Sequence, residues 1–347
     1  MNVLELKVPQ LGEGLQEVLI REFLKRPGEL IRRNESIYVM ETDKAMVEAE
    51  CPEDGVLQKW LVQINDVVAV GGPVARLQLQ PVAEISDAAP QLSGGGTKTG
   101  PSLRSQLNTD TALAQAWQET PLAPSQRALL FRLNRSSRVA VPGNIGRPIG
   151  WRRLIDIARE SGQIYPRFHP SAFQVLAYCV AQATKTHPKF RSTLIGSAKV
   201  REYWHLTLGI AVARPGDELI TAVVPNADRL ELMEFVNTLQ RQVRHAWTRG
   251  DQGNQATQLI LSYLGAEGMT DGVPVLVAPA SGTLFIGAPY VNDNQPVVKL
   301  SLTFDHRLIN GVAAAAFLNR IDLEVDRLYV QIRNLRKENQ YVPERCE

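Results

Sequence analysis

An internal repeat with an offset of 37 residues restricts what the first part of the chain can fold into. In this repeat Phe23 aligns with Trp60, and Gly28 aligns with Asn65. Both copies contain short segments in which apolar and polar residues alternate between turn-forming residues, a pattern typical of half-buried strands. Two similar sheets packed face to face would bury one apolar core. We therefore predict that residues 1–78, the front domain, form an all-β flattened barrel or sandwich with pseudo-twofold symmetry.

The segment that joins the two copies predicts a β-hairpin with a lysine at its tip. Apolar residues alternate on both sides of a polar Thr-Asp-Lys-Ala sequence within residues 39–48. A tight turn favours such polar residues, so Lys44 is expected to project from the tip. A lone lysine in a turn is ordinarily a solvated surface residue. The position of Lys44 at the centre of the repeat makes it a candidate functional residue.

After the front domain, changes in amino-acid composition divide the rest of the chain into two parts. Residues 79–121 contain a Gly-Gly-Gly run, several prolines and little periodic hydrophobicity. If such a segment folded, it would bury too few apolar groups to offset the conformational entropy that it loses. We therefore predict a flexible linker. Residues 122–347, the large domain, alternate helical and strand patterns and indicate an α/β fold. We predict helices at 171–186, 230–247 and 308–321, and strands at 206–213, 219–224, 258–262, 273–278, 283–287 and 297–303.

Charge and cysteine content exclude several classes of protein. The 38 basic and 36 acidic residues nearly cancel, which is unlike a dedicated nucleic-acid binder. No apolar run reaches the roughly 18 residues of a membrane span, and the first residues do not have the pattern of a secretory signal. The three cysteines are far apart, and the five histidines show no metal-ligand spacing. We expect a cytoplasmic protein without a metal site, a nucleic-acid partner or a membrane partner.

The candidate catalytic residue of the large domain is His306. It lies in a short connection between the predicted strand at 297–303 and an alanine-rich predicted helix for which Asn310 is a plausible N-cap. Connections of this kind hold catalytic side chains in place while leaving them accessible. Position alone does not separate a catalytic histidine from a structural one.

The front domain closely resembles the lipoyl domain of 2-oxoacid dehydrogenase complexes. The resemblance covers the whole of residues 1–78, and the sequence ETDKAMVE is similar to the modification site of that family. It implies that Lys44 carries lipoic acid in amide linkage. Asn65 stands where the family has a glycine in the second turn, a replacement that Asn tolerates because it adopts positive φ.

The large domain resembles the acyltransferase (E2) catalytic domain of the same complexes, which has a chloramphenicol-acetyltransferase-like α/β fold. TFDHRLINGVAAAAFL is similar to the DHRxxDG signature, and LILSYLGAEGM is similar to the SNLG segment. The resemblance implies that His306 is the general base and that the Ser262 hydroxyl stabilises the oxyanion. Asn310 stands where the signature has Asp, and we expect it to retain a catalytic or orienting role. Asp305 and Arg307 are expected to form a buried pair that holds the turn.

These resemblances imply a lipoyl-dependent acyltransferase that exchanges an acyl group between the dihydrolipoyl arm and coenzyme A as thioesters. They also imply a trimer, with 24-mers or 60-mers in larger members, and E1- and E3-type dehydrogenase subunits as partners. Residues 79–121 contain no recognisable subunit-binding domain, which leaves docking of those partners open. Two alternatives stay open: a secondary-metabolite acyltransferase with a carrier-protein or alcohol acceptor, and a catalytically silent lipoyl-bearing scaffold.

Overall fold

The structure is a computed structural model of the chain. It describes residues 3–10, 17–42, 46–79, 120–195, 199–216, 218–254 and 256–340. Lys44 and almost all of the predicted linker at 79–121 lie outside the described residues.

In its described residues, the front domain has eight short strands in two four-stranded antiparallel sheets. The strands are β1 (Val3–Lys7), β2 (Glu17–Phe23), β3 (Leu30–Ile31), β4 (Ser36–Glu41), β5 (Met46–Glu50), β6 (Gly55–Trp60), β7 (Val67–Ala69) and β8 (Pro73–Leu79). Their orders are β1-β8-β6-β3 and β5-β4-β2-β7. Replacing each of β1–β4 by the strand four places later, and the reverse, converts the first order into the second. The two sheets are therefore related by the pseudo-twofold symmetry that the sequence repeat predicts.

Corresponding turns of the two repeats share a left-handed backbone conformation. Gly28 has a φ of 93° and its counterpart Asn65 has a φ of 71°. Six residues further along each copy, Asn34 with a φ of 63° corresponds to Gly71 with a φ of 81°. Glycine and asparagine are the residues that adopt this conformation most easily, so each copy places them where the chain reverses. Asn65 in place of glycine is thus compatible with the fold.

The predicted hairpin between the repeats consists of β4 and β5. These strands pair antiparallel, with Glu41 opposite Met46 at the open end of the ladder. Residues 42–45, which include Lys44, connect this last pair. The flanks of the predicted hairpin are confirmed.

The large domain has a seven-stranded mixed sheet, a separate β-hairpin and five helices in its described part. The helices are α1 (Pro124–Val139), α2 (Trp151–Ile164), α3 (Ala172–Ala183), α4 (Leu232–Arg249) and α5 (Gly311–Gln340). The strands are β9 (Pro142–Gly150), β10 (Ser192–Ile195), β11 (Lys199–Glu202), β12 (Leu208–Arg214), β13 (Glu218–Val224), β14 (Leu259–Tyr263), β15 (Gly282–Ile286), β16 (Tyr290–Asn292) and β17 (Gln295–Asp305). Two short 3-10 helices, Thr184–Thr186 and Pro188–Arg191, follow α3.

The sheet has the order β13-β12-β14-β15-β17-β16, with β9 paired along β17. Strand β14, which contains Ser262, and strand β17, which ends just before His306, therefore lie in one layer. Beneath it lies one apolar core, to which α2, α3, α4 and α5 contribute. Helix α3 begins with a capping box in which Ser171 and Gln174 satisfy each other's backbone N–H groups. Phe190 is buried and stacks on Phe317 of α5 at 3.9 Å between ring centroids.

Several predictions for the large domain need correction. Residues 273–278 do not form a strand, because Pro274 removes a backbone donor and the segment runs into Pro279. The helix predicted at 308–321 extends to Gln340. Helices α1 and α2 and strand β9 were not predicted, since α1 is largely polar and β9 contains three glycines and two prolines. None of the helices in the described part of the chain is both long and apolar enough to cross a membrane.

Candidate active site

His306 lies in the turn between β17 and α5, as its sequence position predicts. Its backbone N–H donates to the carbonyl of Val141 at 2.7 Å, which fixes the turn against the start of β9. The imidazole is exposed and lies beside the ring of Phe304, 5.6 Å away between centroids. Within the described part of the chain no side chain hydrogen-bonds to it, so both ring nitrogens are available for proton transfer.

The residues on either side of His306 hold the turn rigid. Arg307 donates to both carboxylate oxygens of Asp305, at 2.9 Å from Nε to Oδ1 and 2.6 Å from Nη2 to Oδ2. This bidentate pair raises the pKa of Arg307. Asp305 is 7% exposed, whereas the Arg307 side chain is 35% exposed. The predicted pair is present, but only its acidic member is buried.

Asn310 is the N-cap of α5. Its side-chain oxygen accepts a hydrogen bond from the Ala313 N–H at 2.8 Å. The amide NH₂ group of Asn310 remains a possible donor toward a ligand. Asn310, which stands where the family signature has Asp, therefore caps the helix. Its catalytic role stays a prediction.

Ser262 lines a cavity of about 210 Å³ between α1 and the sheet. We call it the Ser262 cavity. Most of its lining is aliphatic, contributed by α1, by β13 and β14, and by residues 274–279. Thr283 of β15 also faces the cavity, and its hydroxyl is buried without a described hydrogen-bond partner. No hydrogen bond to a backbone group occupies the Ser262 hydroxyl among the described residues.

The two predicted catalytic residues do not meet within one chain. Ser262 pairs with Phe285 of β15, and Phe285 pairs with Ser301 of β17. His306 lies five residues beyond Ser301. Five strand residues span about 16 Å and two strand spacings add about 10 Å across the sheet. The chain thus presents an exposed base and a hydroxyl-bearing cavity at separate places.

Sequence reasoning missed three residues of this region. Thr283 and Arg132 line the Ser262 cavity, and Gly143 lies against Phe304 and His306. The arginine-rich sequence of α1 was a possible signal for Arg132. For Gly143 and Thr283 no local pattern distinguishes them from other residues of their type. The described residues contain no group of three or more His, Cys, Asp and Glu side chains that could bind a metal ion.

Comparison with known proteins identifies both parts of the chain. The family model described as 2-oxoacid dehydrogenases acyltransferase (catalytic domain) matches residues 114–328, and the model described as Biotin-requiring enzyme matches residues 4–77. The first match alone covers more than half of the chain. The predicted fold class is confirmed as a lipoyl-type β sandwich followed by an α/β catalytic domain.

Individual relatives agree with these matches. The dihydrolipoyllysine-residue acetyltransferase component of the acetoin cleaving system of Bacillus subtilis is 24% identical, over 90% of this chain and 95% of the relative. A crystal structure of a probable dihydrolipoamide acetyltransferase from Listeria monocytogenes has a TM-score of 0.54 at 21% identity, covering 62% of this chain and 96% of the other. The cubic core of a pyruvate dehydrogenase multienzyme complex has a TM-score of 0.56 at 23% identity, covering 67% and 99%. The chain belongs to the acyltransferase (E2) family of 2-oxoacid dehydrogenase complexes and has a biotin/lipoyl-type domain in front of its catalytic domain.

Proposed function

We propose that this chain is the dihydrolipoyl acyltransferase of a 2-oxoacid dehydrogenase-type complex and transfers an acyl group between a lipoyl group on Lys44 and coenzyme A. The observation that carries the proposal is the exposed imidazole of His306 on a turn held by the Asp305–Arg307 pair and by the Val141 carbonyl. A histidine with a purely structural role in the core would be buried, with its ring nitrogens hydrogen-bonded to the surrounding fold.

The front domain fits a covalently attached lipoyl group. The ladder of β4 and β5 ends at Glu41 and Met46, so the four residues between them form the connection that carries Lys44. Met46 is 43% exposed, which places that end of the hairpin at the surface. When attached there, the lipoyl group supplies a thiol that accepts and releases the acyl group.

His306 acts as the general base in this proposal. It accepts the proton of the attacking thiol, because a free thiol with a pKa near 8.5 is mostly protonated at neutral pH. The new C–S bond forms as the C–S bond to the departing sulfur breaks, and His306 returns the proton to that sulfur. The Ser262 hydroxyl donates a hydrogen bond to the carbonyl oxygen as negative charge develops on it.

A complete site requires two chains, because His306 and Ser262 are well separated within one. We therefore propose a trimer or a larger assembly in which the His306 turn of one subunit faces the Ser262 cavity of its neighbour. The similar structure with a TM-score of 0.56 is the cubic core of a multienzyme complex. E1- and E3-type dehydrogenase subunits are the partners that the function implies.

The Ser262 cavity favours an uncharged acyl group. Among the described residues that line the cavity, Arg132 is the one with a charged side chain. Arg132 forms an ion pair with Asp251 at 2.5 Å, and both side chains are buried. The terminal carboxylate of a succinyl group would find no free cation there, and an unpaired buried carboxylate is costly. Acetyl and short aliphatic acyl groups are therefore the expected substrates.

Free dihydrolipoamide and a series of CoA thioesters test this function. We expect acetyl-CoA to be used and succinyl-CoA to be used poorly. His306→Ala is expected to abolish turnover, and Ser262→Ala to lower kcat by about 10²- to 10³-fold, as for loss of one oxyanion donor. An assembled wild-type protein that fails with every CoA thioester would instead support the scaffold alternative, and acyl transfer to an alcohol or carrier protein would support the other. Intact-mass measurement tests lipoylation of Lys44.

We infer a cytoplasmic location from the cysteines. Cys51 and Cys179 are free thiols buried in separate cores, which a reducing compartment preserves. Fractionation of cells that produce the protein tests this inference.

A further inference from the structure

Leu19 shows that the front domain is in contact with the large domain. The neighbouring residues Val18 and Ile20 of β2 point into the core of the front domain, so Leu19 points to its outer face. Leu19 is nevertheless completely buried, because it packs with Val67 of the front domain against Ala128 and Phe131 of α1. A fully buried leucine outside its own domain core indicates a surface shaped to be covered.

A buried carboxylate provides a second, independent sign of this interface. Glu41, the last residue of β4, is 1% exposed. Its carboxylate lies 3.5 Å from Nη1 of Arg135 on α1 and 3.8 Å from Nε of Arg21. Burying a carboxylate costs several kcal/mol unless cations accompany it. Arg135 is the cation that the large domain contributes, and Asp66 pairs with Arg127 of α1 at the other end of the contact.

The same interface adjoins the Ser262 cavity. Nη2 of Arg21 donates to the carbonyl of Gly253 at 2.7 Å, and Gly253 lines the cavity. Arg132, also in the lining, is close enough to Arg21 to lower its pKa, after the larger effect of burial. Glu41 precedes Lys44 by three residues, about 10 Å of extended chain at most. The interface therefore restrains the hairpin end beside the wall of the cavity.

We propose that the front domain docks on α1 of its own large domain through Leu19, Glu41 and Asp66, and that this docked position presents Lys44 to the Ser262 cavity. The role given to Lys44 rests on the proposed function, whereas the docking itself rests on the contacts. Docking raises the local concentration of the arm at the cavity and restricts its orientation.

An activity comparison tests the productive role. Arg135→Glu places a second carboxylate against Glu41, and we expect acylation of the protein's own arm by acetyl-CoA in a single turnover to slow about tenfold as local concentration is lost. Turnover with free dihydrolipoamide should be unchanged. Arg138→Glu, on the exposed part of the same helix, is the matched control and should alter neither rate.

A crosslinking measurement tests the docking without using activity. Asp66→Cys and Arg127→Cys place two thiols across the interface, and a short bismaleimide should join them in the full chain and give one peptide pair that spans both domains. Adding Arg135→Glu should reduce that product.

Absence of the crosslink, or an own-arm rate in Arg135→Glu equal to that in Arg138→Glu, would overturn the proposal. Faster turnover of free dihydrolipoamide in Arg135→Glu would also overturn it, because the docked domain would then obstruct the cavity. If the chain with the two cysteines crosslinks but the wild type transfers no acyl group to free dihydrolipoamide, the proposed function alone is overturned.

Discussion

Gly143 determines how closely strand β9 approaches the catalytic turn. A Cβ atom at this position would lie 2.7 Å from Cζ of Phe304 and 3.0 Å from Cδ2 of His306. Phe304 is buried and cannot move away easily, whereas His306 is exposed and can. Because Gly143 has no side chain, the imidazole of His306 has room to occupy its observed position.

Gly143→Ala is expected to impair catalysis more than stability. Overpacking against Phe304 should cost about 1–3 kcal/mol, and displacement of the imidazole should lower kcat by about 10²-fold. Thermal unfolding and turnover with free dihydrolipoamide measure the two effects. Gly150→Ala, at the other end of β9 where a Cβ meets open space, is the control and should retain full turnover. An unchanged kcat in Gly143→Ala would show that the position of the ring is not critical.

Tyr38 carries a buried hydroxyl with no described hydrogen-bond partner. Burial raises the pKa of Tyr38 to about 12. An unfolded tyrosine has a pKa of about 10, so above that pH the unfolded state loses a proton that the folded state keeps. Ionisation of Tyr38 therefore leaves the free energy of unfolding unchanged below pH 10 and lowers it as the pH rises toward 12.

Tyr38→Phe should remove this alkaline sensitivity. Between pH 9 and pH 11 the free energy of unfolding of the wild type should fall by about 1 kcal/mol from this residue, and that part of the decline should be absent in the variant. At pH 8 the variant should be at least as stable, because it buries no unpaired hydroxyl. Urea unfolding of the full chain measures both, with Tyr165→Phe at an exposed tyrosine as control. An equal decline in Tyr38→Phe and the wild type would contradict the prediction.

A single cap connects helix α5 to the turn that holds His306. The alanine run after Gly311 favours helix, but the first backbone N–H groups of α5 still need acceptors. Asn310 supplies one of them to Ala313. The helix then continues for 30 residues and packs against α2 and α3. The cap therefore sets where α5 begins and how far it lies from His306.

Replacing Asn310 tests how much its cap contributes to stability. Asn310→Ala should destabilise the chain by about 1 kcal/mol, whereas Asn310→Asp should retain the stability, because Asp caps nearly as well. Thermal unfolding measures this difference. Equal unfolding temperatures for the Ala variant and the wild type would show that the hydrogen bond to Ala313 contributes little.

In the assembly, the proposed catalytic groups would meet only between neighbouring chains. Ser262 and His306 lie on β14 and after β17, with β15 between them and a large offset along the strands. An assembly that places the His306 turn of one chain at the Ser262 cavity of the next would complete one site at each junction. Such a site belongs to no single subunit.

Mixed assemblies test this arrangement. His306→Ala and Ser262→Ala chains, each nearly inactive by itself, should regain about a quarter of wild-type turnover when co-expressed in equal amounts, since random mixing gives both intact residues at that fraction of junctions. Mixing the two proteins after separate assembly is the control and should restore little. No recovery on co-expression would place the complete site within one chain.

Patterns local in the sequence predicted much of this protein. The repeat that contains Phe23 and Trp60 predicted two related sheets, because each copy carries the alternation and the turn residues of its own strands. The connection that holds His306 was predicted for the same reason, since strand, turn and N-cap are adjacent in the chain. The polar helix α1 and the glycine-rich strand β9 were missed, because their conformations depend on what packs against them. The strand predicted at 273–278 was wrong, because Pro274 removes a backbone donor from that segment.

By itself the sequence determined the two domains' folds, the family and the candidate residues Lys44, Ser262, His306 and Asn310, all of which depend on order and spacing along the chain. Only the tertiary structure decided that His306 and Ser262 are far apart within one subunit, that Gly143 and Thr283 belong to the site region, and that Glu41 is buried against α1. These properties depend on strand order, register and domain packing, which bring together residues that are distant in the sequence.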